Sequence, residues 1–176
     1  MRYLKGTTSL GITYSQDAES GDVLTAYVDS DFAGDLDDRK STGVVLMLAG
    51  GPVDSVCVKQ TVLATSSAEA EYVIAMSKAC KMILHWRHLL KTINREQKDA
   101  TVLFEDSAGE ILTSKSNKQS QRTKHTDVKY HHVRSLIVDK VVDVRKIGTD
   151  FRVADMLTKS LGAVKFLKNR LMLLRE

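Results

Sequence analysis

Carboxylates carry the strongest chemical signal in this chain. At residues 27–38 the sequence reads Y-V-D-S-D-F-A-G-D-L-D-D, so an apolar run, L-T-A-Y-V, leads straight into Asp29, Asp31, Asp35, Asp37 and Asp38. In an extended chain Val28 and Ser30 share one face, and Asp29 and Asp31 share the other. A carboxylate on a buried strand is costly unless something pairs with it. Hard divalent cations such as Mg²⁺ take oxygen ligands and suit that role. The alternative is an acidic turn between two strands, with its carboxylates in water.

Chemistry at these residues depends on the elements that hold them. Residues 1–14 read as the end of a helix stopped by Gly6, followed by a short extended piece. Strands are expected at about 23–30, 42–48 and 56–65, with the turn A-G-G-P, which contains the only proline, between the second and third. The short connections predict an antiparallel meander. From Ser66 the period changes to that of a long helix, capped by Ser66 or Ser67 with Glu69 near the third position. Its apolar stripe is Ala75, Ala79, Met82 or Ile83, Trp86 and Leu90. A fourth strand is expected at 101–105, a short helix after Asp106, and a basic loop at 114–123. A helix at 126–139, a fifth strand at 141–147 and a last helix from about Phe151 into the leucine-rich tail complete the pattern. Hairpin strands, a long helix and βα units predict an α/β domain with a mixed sheet flanked by helices.

Composition narrows the function class. The 176 residues are 43% hydrophobic and 27% charged, as in an ordinary globular domain. No apolar run approaches the roughly 20 residues of a membrane span, and the start does not read as a signal peptide, so no membrane partner is expected. Cys57 and Cys80 have no disulfide or metal-ligand spacing, which fits a reducing compartment. The net charge of +4 is unevenly spread. Lys115, Lys118, Arg122, Lys124, Lys129 and Arg134, with His125, His131 and His132, form one basic stretch; Lys159, Lys165, Lys168, Arg170 and Arg175 form a basic tail. An acidic centre with basic flanks suits phosphates held around a metal, although the tail lysines read equally as a solvated helix face.

In mixed sheets reactive groups gather at strand ends. Four acids meet that test: Asp29 at the end of the first strand, Glu71 in the first turns of the long helix, Asp106 directly after the fourth strand, and Asp155 in the last helix. Each alone has a structural reading, as a helix N-terminal charge or an N-cap. No Ser-His-Asp or Cys-His pattern, phosphate loop or zinc spacing competes with them.

The chain resembles the ribonuclease H domain of copia-type LTR retrotransposon polyproteins. The motifs that carry the resemblance are Y-V-D-S-D-F-A-G-D-L-D-D-R-K-S-T-G (27–43), L-A-G-G-P-V (48–53), K-Q-T-V-L-A-T-S-S-A-E-A-E-Y (59–72), E-D-S-A (105–108), R-T-K-H-T-D-V-K-Y-H-H-V-R (122–134) and V-A-D-M-L-T-K-S-L (153–161). The resemblance implies a ribonuclease H-like fold with a five-stranded mixed sheet over residues 15–176. Residues 1–14, with R-Y-L-K-G-T, would be the tail of an upstream reverse transcriptase connection. It implies that Asp29, Glu71, Asp106 and Asp155 bind two Mg²⁺ ions, with Mn²⁺ as a substitute, Asp29 bridging both. The ions would sit about 4 Å apart and hydrolyse a phosphodiester to a 3′-hydroxyl and a 5′-phosphate. Glu69 is the rival to Glu71, and Asp31 is a candidate support behind Asp29.

The implied substrate is the RNA strand of an RNA–DNA hybrid, recognised through 2′-hydroxyls in its minor groove. Thr65, Ser66, Ser67 and Ser107 are candidates for those contacts, and Arg122, Lys124, Lys129 and Arg134 for phosphates. Trp86 is expected in the core rather than under a base. The expected location is intracellular: cytoplasmic, in a virus-like particle, or nuclear.

Three departures from the family pattern stand out. S-T-G-V (41–44) is one residue shorter than S-T-T-G-Y. Val56 stands where a tryptophan is usual. After Glu71, E-Y-V-I-A-M-S is one residue longer than the family form, which rotates the later residues of the helix by about 100°. Together they put the packing of strand 2 on the long helix in question and keep an alternative open: a catalytically inactive, decayed or structural nucleic-acid-binding domain supporting a reverse transcriptase. I-G-T-D-F-R-V-A-D (147–155) also lacks the histidine many cellular ribonucleases H carry before the last acid, and Asp150 is a candidate for part of its role.

Overall fold

The computed structural model describes residues 2–15, 21–31, 41–59, 68–105, 124–148 and 151–175. In chain order these form α1 (Arg2–Lys5), β1 (Thr25–Asp31), β2 (Ser41–Leu48), β3 (Gly51–Lys59), α2 (Ala68–Thr92), β4 (Thr101–Glu105), α3 (Lys124–Val138), β5 (Val142–Lys146), α4 (Asp155–Thr158) and α5 (Ala163–Leu173). The sheet order is β3-β2-β1-β4-β5. The β1-β2 and β2-β3 pairs are antiparallel, and β1-β4 and β4-β5 are parallel. This is the expected five-stranded mixed sheet.

Alternation along β1 works as the sequence predicts. Leu24, Ala26 and Val28 turn to one face, where Tyr72, Val73, Met76, Ala79, Cys80 and Ile83 of α2 close over them. Asp29 turns to the other face. Fully burying a Val, Ile or Met side chain stabilises by roughly 1.5–3 kcal/mol, so Val73, Met76 and Ile83, all at 0% exposure, make α2 the main clamp on the sheet. Tyr130, Val133 and Leu136 of α3 extend the same core.

The doubt over strand 2 is resolved by its burial. Val44 and Leu46 are fully buried in the cluster that contains α2, and Val56 packs against that cluster. The lengthened E-Y-V-I-A-M-S segment puts both Val73 and Met76 into the core, so the extra residue is absorbed within a wide apolar face. Trp86 is half-buried and packs against the core, and its Nε1 donates to Asp54 Oδ2 at 2.9 Å, tying α2 to β3.

Two expected boundaries are corrected. β3 begins at Gly51, not Val56, because the turn is shorter than A-G-G-P. Ala49 (φ 52°) and Gly50 (φ 77°) alone form it, the pair of positive φ angles that a two-residue hairpin needs. Pro52 then stands within β3, which is an edge strand, where its missing N–H breaks no interior ladder. The expected single last helix is two. Lys159 is extended (φ −126°, ψ 148°) and Gly162 is extended (φ −60°, ψ 151°) at the start of α5. The chain therefore makes one turn, breaks and restarts. Smaller shifts occur at β1, which starts at Thr25 because the Leu24 N–H is taken by Gln97 Oε1 at 2.8 Å. The expected short helix after Asp106 and the basic loop lie outside the described residues.

The N-terminal segment docks on the domain. Tyr14 Oη donates to the Pro52 carbonyl at 2.7 Å, and Gly11 pairs with Arg175 through two bonds of 2.9 Å.

Candidate active site

A row of residues crosses the sheet on the face opposite α2. Asp29 of β1 pairs with Gly43 of β2, which pairs with Cys57 of β3. The single turn of α4 lies on this row. Cys57 Sγ donates to the Leu157 carbonyl at 2.8 Å, Ser41 Oγ to the Thr158 carbonyl at 3.2 Å, and Thr158 Oγ1 to Asp29 Oδ2. Glycine at the centre of the row sets how close the helix comes. A Cβ at Gly43 would stand 2.8 Å from Leu157 Cβ and 3.0 Å from the Ala154 carbonyl oxygen, inside any normal contact.

Spacing within α4 completes the site. Residues i, i+3 and i+4 of a helix share a face, so Asp155, Thr158 and Lys159 all turn toward Asp29. Asp155 is 1% exposed and Asp29 5%. Lys159 Nζ lies 3.0 Å from Asp29 Oδ1 and 3.7 Å from Asp155 Oδ1; Lys165 Nζ, from the first turns of α5, pairs with Asp155 Oδ2. Asp155 Oδ1 is buried with no hydrogen-bond partner among the described residues.

Burial pushes the Asp29 carboxyl above the usual carboxylate range. The Thr158 and Lys159 hydrogen bonds and the Lys159 charge pull it back, and Asp155 adds to the rise. On the same sheet face Tyr27 stacks on Phe104 with ring centroids 5.1 Å apart, joining β1 and β4 two residues before Asp29.

Two of the four expected acids are thus brought together, Asp29 and Asp155. Asp155 stands on a separate short helix, not within the last one. Glu71 lies in the first turn of α2, but its side chain, like those of Glu69 and Asp31, is outside the described residues. Asp106 is outside them too, as are Thr65, Ser66, Ser67, Ser107, Arg122 and Asp150 and the side chains of Lys124 and His125. Among the described residues no group of three or more His, Cys, Asp or Glu side chains is placed to hold a metal ion. Lys129 is half-buried on α3, Arg134 is exposed one turn further, and His132 is exposed, as expected of a surface helix.

Sequence reasoning missed four contributors. Lys159 and Lys165 read as tail residues, Thr158 only as part of V-A-D-M-L-T-K-S-L, and Gly43 only as a residue of the second strand. The D-x-x-T-K spacing was the available signal for Thr158 and Lys159. Glu105 was also passed over; it is buried at the end of β4, lining a recess with Val28, Ser30, Tyr72, Ala75 and Met76 on the α2 face.

No family model matches the chain. It is 38% identical over 168 residues to the Retrovirus-related Pol polyprotein from transposon TNT 1-94 of Nicotiana tabacum, a match that covers 94% of this chain and 12% of that protein. The chain therefore spans about one eighth of that relative's length. Among solved structures, RNase H1 from the halophilic archaeon Halobacterium salinarum NRC-1 superposes with a TM-score of 0.54 at 17% identity, covering 77% of this chain and 93% of that one. LC11-RNase H1 in complex with an RNA/DNA hybrid gives 0.51 at 13% identity, covering 77% and 93%. At these identities the two structures speak for the fold.

Proposed function

Since the chain belongs to the ribonuclease H-like domains of retrotransposon Pol polyproteins, we propose that it hydrolyses the RNA strand of RNA–DNA hybrids with divalent metal ions. One observation carries the proposal. Two carboxylates far apart in sequence, both buried, converge on the Lys159 ammonium, and one buried oxygen, Asp155 Oδ1, has no hydrogen-bond partner among the described residues. That donor set is anionic, oxygen-only and cation-seeking, which fits Mg²⁺ or Mn²⁺.

In this reading Asp29 and Asp155 hold two metal ions with Glu71 and Asp106. The ions, when bound, would supply an activated water and stabilise the leaving 3′-oxygen. Residues of this chain do the rest. Thr158 fixes the Asp29 carboxylate through Oδ2 and leaves Oδ1 facing the site. Gly43 lets α4 carry Asp155 to that position. Lys129 and Arg134, with Arg122 and Lys124, would meet phosphates, and Ser66, Ser67 and Ser107 the 2′-hydroxyls. A neighbour of the same fold was solved on an RNA/DNA hybrid, which supports that substrate class. Residues 1–14 would lead from a reverse transcriptase in the same polyprotein. The products would be a 3′-hydroxyl and a 5′-phosphate.

A second reading has its own observation: Lys159 and Lys165 already neutralise both described carboxylates, as they would in an inactive supporting domain. Cleavage of a labelled RNA–DNA hybrid separates the two. Wild type with Mg²⁺ is expected to cut the RNA strand, and EDTA or Asp29→Asn to abolish cutting, with duplex DNA left intact. A folded wild type that leaves the hybrid whole, with Mg²⁺ or Mn²⁺, would establish the inactive reading.

A further inference from the structure

The Lys159 ammonium stands where the two carboxylates converge. It is 3.0 Å from Asp29 Oδ1 and 3.7 Å from Asp155 Oδ1. These are the same two oxygens that Thr158 and Lys165 leave untouched, since both of those bond the Oδ2 atoms. An ion binding between the acids must use them.

We propose that Lys159 is a tethered counter-ion, and that metal enters this site only by exchanging with its ammonium. The inference rests on the metal-binding reading above and adds to it the group that metal must displace.

Three features fit an exchange. Among the described residues two carboxylates face two ammonium groups. At these two acids a divalent cation gains full attraction only when a lysine leaves. The Lys159 backbone is fixed, its N–H donating to the Asp155 carbonyl at 2.9 Å at the extended residue that ends α4. Only the side chain has to move. That side chain is 30% exposed, against 3% and 1% for the two acids. A flexible four-carbon stem can carry a compact ammonium outward into water while the carboxylates stay.

The consequence is measurable without substrate. Purified chain, stripped of metal, is titrated with Mn²⁺ and with Mg²⁺ by calorimetry, comparing wild type, Lys159→Gln, Lys159→Arg and Asp29→Asn. Lys159→Gln is expected to bind metal on the order of tenfold more tightly, within the usual range for coupled sites. Lys159→Arg keeps the charge and is expected to bind no more tightly than wild type. Asp29→Asn is expected to lose binding. The wild-type protein supplies a second readout. With ¹³C-labelled lysine, the Lys159 Cε resonance, assigned by its absence in Lys159→Arg, is expected to move on metal saturation and to return with EDTA. Equal or weaker binding by folded Lys159→Gln overturns the exchange and leaves the metal site standing; so does an unmoved Lys159 signal in metal-bound wild type. No binding by any variant overturns the metal reading and the exchange with it.

Discussion

Gly43→Ala tests whether the site is built by the close approach of α4 to β2. The added Cβ would lie 2.8 Å from Leu157 Cβ and 3.0 Å from both the Ala154 carbonyl oxygen and Thr158 Cγ2. Ordinary carbon contacts are about 3.5–4.0 Å, so something must give by roughly 1 Å. Leu157 Cβ and the Ala154 carbonyl are fixed to the helix backbone, so α4 itself must retreat. Overpacking of this kind costs about 1–3 kcal/mol. Replacing glycine in the unfolded chain returns about 0.4–1 kcal/mol. The net loss is about 0–2.6 kcal/mol, with a midpoint of about 1.3 kcal/mol that corresponds to roughly 3–5 °C in Tm for a domain of this size. Retreat of α4 also draws Thr158, Lys159 and Asp155 away from Asp29, and a displacement of 1 Å at a reacting centre costs about 10²-fold in rate. Circular dichroism melts and hybrid cleavage below the melting range read the two effects. Gly148→Ala is the control: nothing among the described residues lies within 4 Å of its Cβ, so its stability should stay within about 0.5 kcal/mol. A Gly43→Ala protein that melts and cleaves like wild type would refute this account of how α4 is seated.

Other substitutions probe the core and its titrating groups. Ile83→Ala, at a fully buried position of α2, should cost about 2–5 kcal/mol in urea unfolding; a loss under 1 kcal/mol would mean that α2 is not the clamp. Trp86→Phe removes the donor to Asp54 and should cost about 0.5–1.5 kcal/mol, with Asp54→Asn and Trp86→Phe non-additive in a double-mutant cycle. Burial pushes the Cys80 thiol up to about 12 from 9.0, whereas Cys57 is exposed. A thiol reagent at pH 8 should therefore label one cysteine in the native protein and two in urea. Because the folded state holds the Cys80 proton longer, its contribution to stability is intact below pH 9 and is lost as pH rises toward about 12, by about 1.4 kcal/mol per pH unit. Cys80→Ala should flatten that part of the alkaline stability profile, and an unchanged slope would contradict it.

The sheet was readable because its signals are local. L-T-A-Y-V-D-S-D alternates, T-V-L-F-E is bounded by polar turns, and the stripe from Tyr72 to Leu90 keeps a helical period. The misread boundaries are those set by tertiary contacts. Whether A-G-G-P turns over two residues or four depends on Leu48 pairing with Gly51. The break between α4 and α5 reflects where Lys159 finds its partner, 130 residues earlier. Asp29 and Asp155 could be singled out because four acids together stand at element ends, within motifs that carry the family resemblance. Lys159 and Lys165 could not, since a lysine in a basic tail looks the same whether it meets water or a buried carboxylate. Gly43 was legible only as a glycine in a strand, a mark of close backbone approach that names no neighbour.

The contacts that define the site are among the longest in sequence: Thr158 to Asp29 spans 129 residues and Lys159 to Asp29 spans 130. The clamp of α2 on β1 and β2 needs no such closure. During synthesis from the N-terminus the sheet and its main helix can begin to pack while the last two helices are still inside the ribosome. Asp29 then waits on an unfinished face, without its hydroxyl, its ammonium or its companion acid. The nascent chain is thus a scaffold before its two described acids meet, and the site would arrive abruptly, with the emergence of α4 and α5, rather than growing in step with the fold.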